Sequence, residues 1–431
     1  MYTLLYSNCC KMYTLLHSNC YKIYILVDSI CKMYTLVDSN CKMYTLVYSN
    51  CCKMYTPIYS NYCKIYILVS SNCYKIYILV DSDCKMYTLV YSNRCNIYIL
   101  LYSNCCKMYT LLYSNCYKIY ILVDSNCKMY IPVYSNCCNI YILFYSNCCK
   151  MYTLLYSNCY KIYILVNSNC KMYTPVYSNC CKMYILLYSN CYKIYILVDS
   201  NCKMYTLVYS NCCKMYTPIY SNYCKIYILV YSNCYKIYIL VDSNCKMYTL
   251  VYSNRCNICI LFYSNCCKMY TLLYSNYYKI YILVNSNCIM YTLVYSNCYK
   301  VYILVDSNCK MYTPVYSNCC NIYILFYSSY SKMYTPILTP IYSNYCKIYT
   351  LVYSNCCKIY ILVDSNCKMY ILLYSNCCKI YSLVDNNCKM YTLVCSNCCK
   401  IYIPVCSNCC KIYILVDSNY KIYILVYSNY W

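Results

Sequence analysis

One short phrase fills this chain from end to end, and that repetition limits what the chain can fold into. The consensus is (Met/Ile)-Tyr-(Thr/Ile)-Leu-Val-(Tyr/Asp)-Ser-Asn-Cys-(Cys/Tyr)-Lys, and the 431 residues divide into 26 repeats of eleven, 13 of ten and one of fifteen. Internal repetition of this kind predicts an architecture in which neighbouring units stack. We therefore expect residues 1–431 to form a single array without a separate catalytic or binding domain.

The residue types of the repeat favour strands. Tyr, Ile, Val and Thr are enriched in strands, and a run of five or six such residues before Ser-Asn has strand length. Alternation places Met/Ile, Thr/Ile and Val on one face and Tyr, Leu and Tyr/Asp on the other, with turns at Ser-Asn-Cys-(Cys)-Lys. The sequence predicts an all-β repeat fold, an irregular β-solenoid-like stack of 10/11-residue units with two repeats per coil.

Two alternatives stay open at this point. An eleven-residue period also suits an α-helical hendecad-type repeat with a right-handed supercoil, although the repeat has no clean apolar stripe. The IYILV segments combine high β-propensity with low charge, which is typical of aggregation-prone sequences, so a chain that is not stably folded is the other alternative.

Two features count against a regular solenoid. The mixture of ten- and eleven-residue repeats would move side chains from one face to the other unless the turns absorb the difference. Proline at the fourth repeat position would also lie in mid-strand, where it removes a ladder donor. Seven of the eight prolines are at that position: Pro57, Pro132, Pro175, Pro218, Pro314, Pro336 and Pro404.

Longer periods lie above the short one. Three long copies and one short copy make a 43-residue unit, and residues 43–128 match residues 204–289 with seven differences. Some of these exchange unlike residues, as in Lys128/Ile289 and Tyr98/Cys259, which suggests that little packing is being defended. Residues 333–347 form an expanded repeat with a slippage-like stutter, Thr-Pro-Ile-Leu followed by Thr-Pro-Ile.

Composition and charge narrow the functions that are open to the chain. It contains 78 Tyr, 52 Cys and no Gly, and its formal net charge is +25, with lysine recurring about once per repeat. Charge this diffuse predicts nonspecific attraction to nucleic acid or anionic membrane, and no sequence-specific nucleic-acid recognition. No signal peptide or transmembrane segment is recognisable, so the expected location is cytoplasmic by default, with the cysteines reduced.

The sequence predicts no enzyme and no catalytic, cofactor-binding or metal-binding residues. His17 is the single histidine, Glu is absent, and ten of the eleven Asp residues are copies of one repeat position. General acid–base catalysis needs differentiated groups that converge on one site. Arg94 and Arg255 occupy equivalent places in the duplicated block, and adjacent cysteines such as Cys9-Cys10 lack the spacing of zinc ligands.

Three functional hypotheses follow. The first is a translated low-complexity tandem repeat without evolved activity, from which no specific biochemical function is inferable. The second is a Tyr/Cys-rich structural or cross-linked repeat protein, in which these residues serve packing or covalent cross-linking. The third is an ice- or surface-binding β-solenoid that presents an array of Thr and Tyr. No specific partner is predicted, and the association that the β-prone repeat favours is self-association.

Overall fold

The computed structural model describes residues 2–427 except for short corner segments of one to seven residues between strands. The described chain is all β, with 41 strands and no helix. It divides into two compact units, Met1–Cys213 (unit 1) and Lys214–Trp431 (unit 2). The single array of residues 1–431 stays a prediction.

The strands of unit 1 are β1 Tyr2–Ser7, β2 Lys11–Ser18, β3 Lys22–Ser29, β4 Lys32–Ser39, β5 Lys42–Ser49, β6 Lys53–Ser60, β7 Lys64–Ser71, β8 Lys75–Ser82, β9 Lys85–Asn93, β10 Asn96–Ser103, β11 Lys107–Asn115, β12 Lys118–Ser125, β13 Lys128–Ser135, β14 Asn139–Ser146, β15 Lys150–Ser157, β16 Lys161–Ser168, β17 Lys171–Ser178, β18 Lys182–Ser189, β19 Lys193–Ser200 and β20 Lys203–Ser210.

The strands of unit 2 are β21 Lys214–Ser221, β22 Lys225–Ser232, β23 Lys236–Ser243, β24 Lys246–Asn254, β25 Asn257–Ser264, β26 Lys268–Asn276, β27 Lys279–Ser286, β28 Ile289–Ser296, β29 Lys300–Ser307, β30 Met311–Tyr312, β31 Val315–Ser317, β32 Asn321–Ser328, β33 Pro336–Ser343, β34 Lys347–Ser354, β35 Lys358–Ser365, β36 Lys368–Ser375, β37 Lys379–Asn386, β38 Met390–Ser396, β39 Lys400–Cys406, β40 Ile412–Ser418 and β41 Lys421–Tyr427.

In unit 1 alternate strands belong to different sheets. The odd-numbered strands form one parallel sheet (sheet 1) and the even-numbered strands form a second (sheet 2). Each residue pairs with its counterpart about 21 residues away, as Tyr34 pairs with Tyr55. Two strands, and therefore two repeats, complete one coil, so the predicted β-solenoid is confirmed. The α-helical alternative is wrong for the described residues.

Unit 2 follows the same plan. Its sheet 1 consists of β21, β23, β25, β27, β29, β32, β34, β36, β38 and β40, and the remaining strands form its sheet 2. All these pairs are parallel and in register. Sheet 1 takes odd-numbered strands up to β29 and even-numbered strands from β32. The numbering changes because Pro314 separates β30 from β31, and these two short strands together occupy the place of one strand opposite β28.

The inward face of each strand carries the first, third, fifth and seventh repeat positions. In β6, for example, Met54 and Ile58 are fully buried, and Thr56 and Ser60 beside them are also buried. The predicted alternation is therefore correct for the described strands. Only the inward face is covered by the opposite sheet, whereas the outward Tyr, Leu and Tyr/Asp rows stay partly exposed.

The corners absorb the difference between ten- and eleven-residue repeats. Nearly every strand begins at the lysine position and ends at Ser, whatever the length of its repeat. Two residues separate Ser29 from Lys32, where the repeat is short, and three separate Ser49 from Lys53, where it is long. The same side chains therefore face inward in every described coil, and register is preserved.

The mid-strand prolines Pro57, Pro132, Pro175 and Pro404 interrupt the ladder on one side only, toward the preceding coil, whereas at Pro314 the pairing is interrupted on both sides. The register of β4 with β6 is interrupted at the pair opposite Thr56 and Pro57, whereas Pro57 pairs with Leu79 on the other side. In a parallel ladder a residue bonds through its N–H and C=O to one neighbouring strand, and the residues next to it bond to the other. Proline therefore removes a single donor, toward the preceding coil.

The expanded repeat lengthens one coil. Residues 329–335 lie outside the described residues, and β33 contains the stutter from Pro336 onward. Val315 pairs with Ile341, which is 26 residues later instead of about 21. Pro340 takes the mid-strand place opposite Leu362, and Pro336 stands at the first residue of the strand. Ile337 takes the place of the repeat's first residue opposite Met311, so the register of the strand is intact.

Candidate functional site

Two continuous columns of stacked tyrosines cover the outer faces of unit 1. On sheet 1 ten rings, from Tyr2 to Tyr195, stack with centroids 4.7–5.1 Å apart and planes within 10° of parallel. On sheet 2 the column runs from Tyr13 to Tyr205 with the same geometry. In-register parallel strands about 4.8 Å apart place the same repeat position directly above itself, which creates the columns.

The sixth repeat position forms a further column that differs between the two sheets. On sheet 1, stacked rings run from Tyr91 to Tyr177 without interruption. On sheet 2 the equivalent row alternates Tyr with acid, as in Asp81, Tyr102 and Asp124. The 43-residue unit equals two coils, so over residues 43–171 its short repeat returns to sheet 2 each time, whereas the short repeats of Asp28 and Asp199 join sheet 1. The 43-residue period is visible in the sequence, but it assigns the short repeat of each unit to one sheet only once two repeats are known to make a coil.

Stacking decides which parts of the rings a partner can reach. The faces of each ring lie against the rings above and below, so only the outer edges, with their hydroxyl groups and ortho carbons, point to solvent. Bases therefore cannot stack on these tyrosines as they do on single-strand binding platforms. Burial raises the pKa of Tyr66, Tyr98 and Tyr141, and adjacent phenols raise it further. These hydroxyls are therefore neutral donors at physiological pH.

Two single substitutions interrupt the columns of unit 2. Cys259 stands between Tyr238 and Tyr281 in sheet 1, and Leu338 stands between Tyr312 and Tyr360 in sheet 2. Burial raises the pKa of the Cys259 thiol, which keeps it protonated and weakly nucleophilic. The strands on either side keep their register, so the backbone ladder does not depend on an unbroken ring column.

Grooves run along the outer faces of unit 1, parallel to the solenoid axis. One groove, about 1040 Å³, lies on sheet 1 between the sixth-position side chains and the Ser-Asn corner. Asparagines form a hydrogen-bonded ladder there, as Asn72 Nδ2 donates to Asn50 Oδ1 at 3.2 Å. A second groove on sheet 1, about 820 Å³, is apolar and runs between the second-position Tyr and the Leu row. A similar apolar groove of about 840 Å³ lies on sheet 2.

The residues considered individually in the sequence do not converge. His17 Nδ1 lies 3.2 Å from Asp38 Oδ2 one coil away, and the two side chains are 74% and 56% exposed, so the pair contributes little to stability. Arg94, Arg255 and the Cys9-Cys10 pair lie outside the described residues. Within the part of the chain that the structure describes, no group of three or more His, Cys, Asp or Glu could hold a metal ion.

The described part of the chain also contains no helix able to cross a membrane.

The threonines of the repeat are not on the surface. Thr35, Thr88 and Thr110 lie on the inward face and are 1–3% exposed, and their Oγ1 atoms have no hydrogen-bond partner. The array that the outer faces present is one of Tyr, Leu and Lys. An ice-binding surface built from threonine therefore has no support among the described strands.

The differences between the two duplicated blocks lie mostly outside the core. Leu101 and Phe262 occupy a core position, both fully buried and both apolar. Cys116 is a corner residue, and its counterpart Tyr277 lies outside the described residues. These seven differences therefore do not support the interpretation that substitutions accumulate freely at close-packed core positions. The other five pairs are on the outer face or at exposed corners: Ser70/Tyr231, Asp83/Asn244, Tyr98/Cys259, Asp124/Asn285 and Lys128/Ile289.

The geometry is that of a repeat solenoid with a regular aromatic surface, which is consistent with a structural repeat protein. Comparisons with protein-family models, with curated proteins and with solved structures gave no match for this chain.

Proposed function

We propose that this chain is a structural repeat protein whose outer tyrosines serve packing and oxidative cross-linking. The observation that carries the proposal is the set of stacked columns with outward ring edges. A phenol couples through its ortho carbon, and the columns present these carbons along the length of each sheet. The cysteines that lie in the undescribed corners are not part of the argument.

The chemistry is a two-electron oxidation supplied by peroxide and a peroxidase. Each of two tyrosines loses one hydrogen atom, a carbon–carbon bond forms between their ortho positions, and one hydrogen peroxide is reduced to two waters. Neighbours in a column lie nearly parallel and about 4.8 Å apart, so coupling within the column would require a ring to leave the stack. Coupling between two molecules requires only that two ring edges meet. The geometry therefore favours intermolecular dityrosine.

Peroxidase treatment of the purified protein tests this proposal. We expect dityrosine fluorescence to rise together with covalent dimers and larger oligomers. Several sixth-position rings are well exposed, as Tyr91 is 47% and Tyr48 is 45% exposed, although the corner tyrosines Tyr74, Tyr117 and Tyr160 are more exposed still. A variant with Tyr91→Ser, Tyr113→Ser and Tyr156→Ser should form oligomers several-fold more slowly, since Ser70 already occupies this position. Dityrosine without oligomers, or none in acid hydrolysates of native material, would count against cross-linking.

The hypothesis of a translated repeat without evolved activity stays a prediction, as does the absence of enzymatic activity. Codon comparison of residues 43–128 with 204–289 separates it from a structural role. If silent differences clearly outnumber the seven replacements, selection has held the protein sequence. If they do not, the repeats have diverged without selection on the protein sequence. One observation favours selection: a single nucleotide change converts a Met codon to Lys, yet no described inward position carries a charge.

A further inference from the structure

The two outer faces of unit 1 carry different charge patterns. On sheet 1, each of the seven strands β5, β7, β9, β11, β13, β15 and β17 begins with a lysine, and none contains an acidic residue. We call the outer surface of these seven strands the basic face. On sheet 2, Asn96 and Asn139 interrupt the lysine row, and Asp81 and Asp124 lie on the same surface. This asymmetry holds where three 43-residue units follow one another, residues 43–171, because each unit equals two coils. Outside the basic face, sheet 1 also carries acid, at Asp28 in β3 and Asp199 in β19.

The basic face is also amphipathic. Five of its seven lysines are exposed at one margin, and Lys42 and Lys171 are partly exposed. Beside them run the tyrosine column, the Leu row with its apolar groove of about 820 Å³, and the sixth-position tyrosines. Strands about 4.8 Å apart and a rise of about 3.3 Å per residue give a face of roughly 30 by 20 Å. Such a surface offers charged and apolar contacts across two dimensions, which suits a flat partner better than a linear one.

We propose that the basic face docks on the headgroup surface of an anionic lipid bilayer. Lysine next to an anionic leaflet contributes roughly a factor of five in affinity per residue, and tyrosine favours the interfacial region between water and hydrocarbon. The closely spaced lysines repel one another, and an anionic surface relieves that repulsion. A soluble polyanion would engage the lysine row alone, and the stacked rings deny it base stacking. The bilayer surface engages the lysines, the tyrosines and the Leu row together.

Vesicle flotation with the full-length reduced protein tests the proposal. The probes are phosphatidylcholine vesicles with and without an equimolar share of phosphatidylserine. We expect binding to the mixed vesicles, little binding to pure phosphatidylcholine, and weaker binding as salt increases. The triple variant Lys107→Asn, Lys128→Asn, Lys150→Asn should bind on the order of 100-fold more weakly. Asn already stands at this position in β10 and β14, so the coil tolerates the change.

A matched variant on the other sheet controls for total charge. Lys75→Asn, Lys118→Asn, Lys161→Asn removes the same charge from sheet 2 and should change affinity by less than about threefold. Equal losses from the two triple variants would overturn the proposal, because attraction would then depend on net charge. Leu111→Ser should weaken binding to the mixed vesicles without changing the affinity for a single-stranded oligo(dT). If oligo(dT) binds more tightly than the mixed vesicles, with the same dependence on the sheet 1 lysines, the face recognises soluble polyanions and the bilayer proposal fails.

Discussion

Neighbouring residues in one strand have opposite roles in this fold. Val90 is fully buried against the other sheet, whereas Tyr91 is 47% exposed and stacks on Tyr113. The sixth position varies among Tyr, Asp, Asn, Ser, His and Cys along the chain, while the fifth is always aliphatic or Phe. Tolerance therefore follows the face on which a residue lies, because only the inward face lies in a close-packed interior.

A pair of aspartate substitutions tests this contrast. Val90→Asp places a charge in the core and should destabilise the fold by more than about 4 kcal/mol. Tyr91→Asp should cost only about 1 kcal/mol, for the lost ring stacking. Urea unfolding followed by far-UV circular dichroism measures both. Similar losses in the two variants would mean that the two faces are equally packed.

At the scale of the strand, proline is compatible with this sheet because each residue bonds to only one neighbouring coil. Pro57 keeps its place opposite Leu79 while the ladder toward β4 is interrupted beside it. Thr56 Oγ1 donates to the Tyr77 carbonyl at 3.3 Å, and Thr217 beside Pro218 repeats this contact with Tyr238. Pro57 therefore weakens one interface between coils without ending the strand, whereas Pro314, which faces Pro340 in the next coil, divides its strand into β30 and β31.

Pro57→Leu should stabilise unit 1 modestly, by up to about 1 kcal/mol, because an amide donor toward β4 is restored. Part of that gain is offset by the greater freedom of the unfolded chain. The converse change, Leu79→Pro, removes a donor toward β6 and should cost about 3 kcal/mol. Hydrogen exchange of the amides in β4, β6 and β8 locates both effects. A destabilising Pro57→Leu would show that the interruption of the ladder is not caused by the missing N–H.

At the scale of the whole molecule, each coil of a unit pairs only with the coils before and after it. Away from the ends of a unit, a strand pairs with the equivalent strands of the preceding and following coils, as β14 pairs with β12 and β16. Stability in such arrays is approximately a sum of coil stabilities and nearest-neighbour interface contributions. A defect should therefore act locally, and distant coils of the same unit should not respond.

Phe144→Ala tests that locality. Phe144 is fully buried in β14, and its truncation should cost about 3–5 kcal/mol. Native-state hydrogen exchange should show reduced protection from β12 to β16 and unchanged protection in β2 and β4. Phe144→Leu serves as the control, because leucine fills the equivalent place at Leu187. A uniform loss across unit 1 would show that the coils unfold as one cooperative unit.

The sequence by itself determined the strand and its two alternating faces, because strand length and a period of two are local properties. Two repeats per coil was an expectation that only the pairing of strands about 21 residues apart confirmed. The sequence could not determine which face is inside, since Met-Thr-Val and Tyr-Leu-Tyr are both largely apolar. Only the tertiary structure decided that threonine is buried and tyrosine stacks outside, through packing between the two sheets. It alone placed Asp81 and Asp124 on sheet 2 and left the basic face free of acid from β5 to β17, because which sheet a repeat joins depends on how many residues complete a coil.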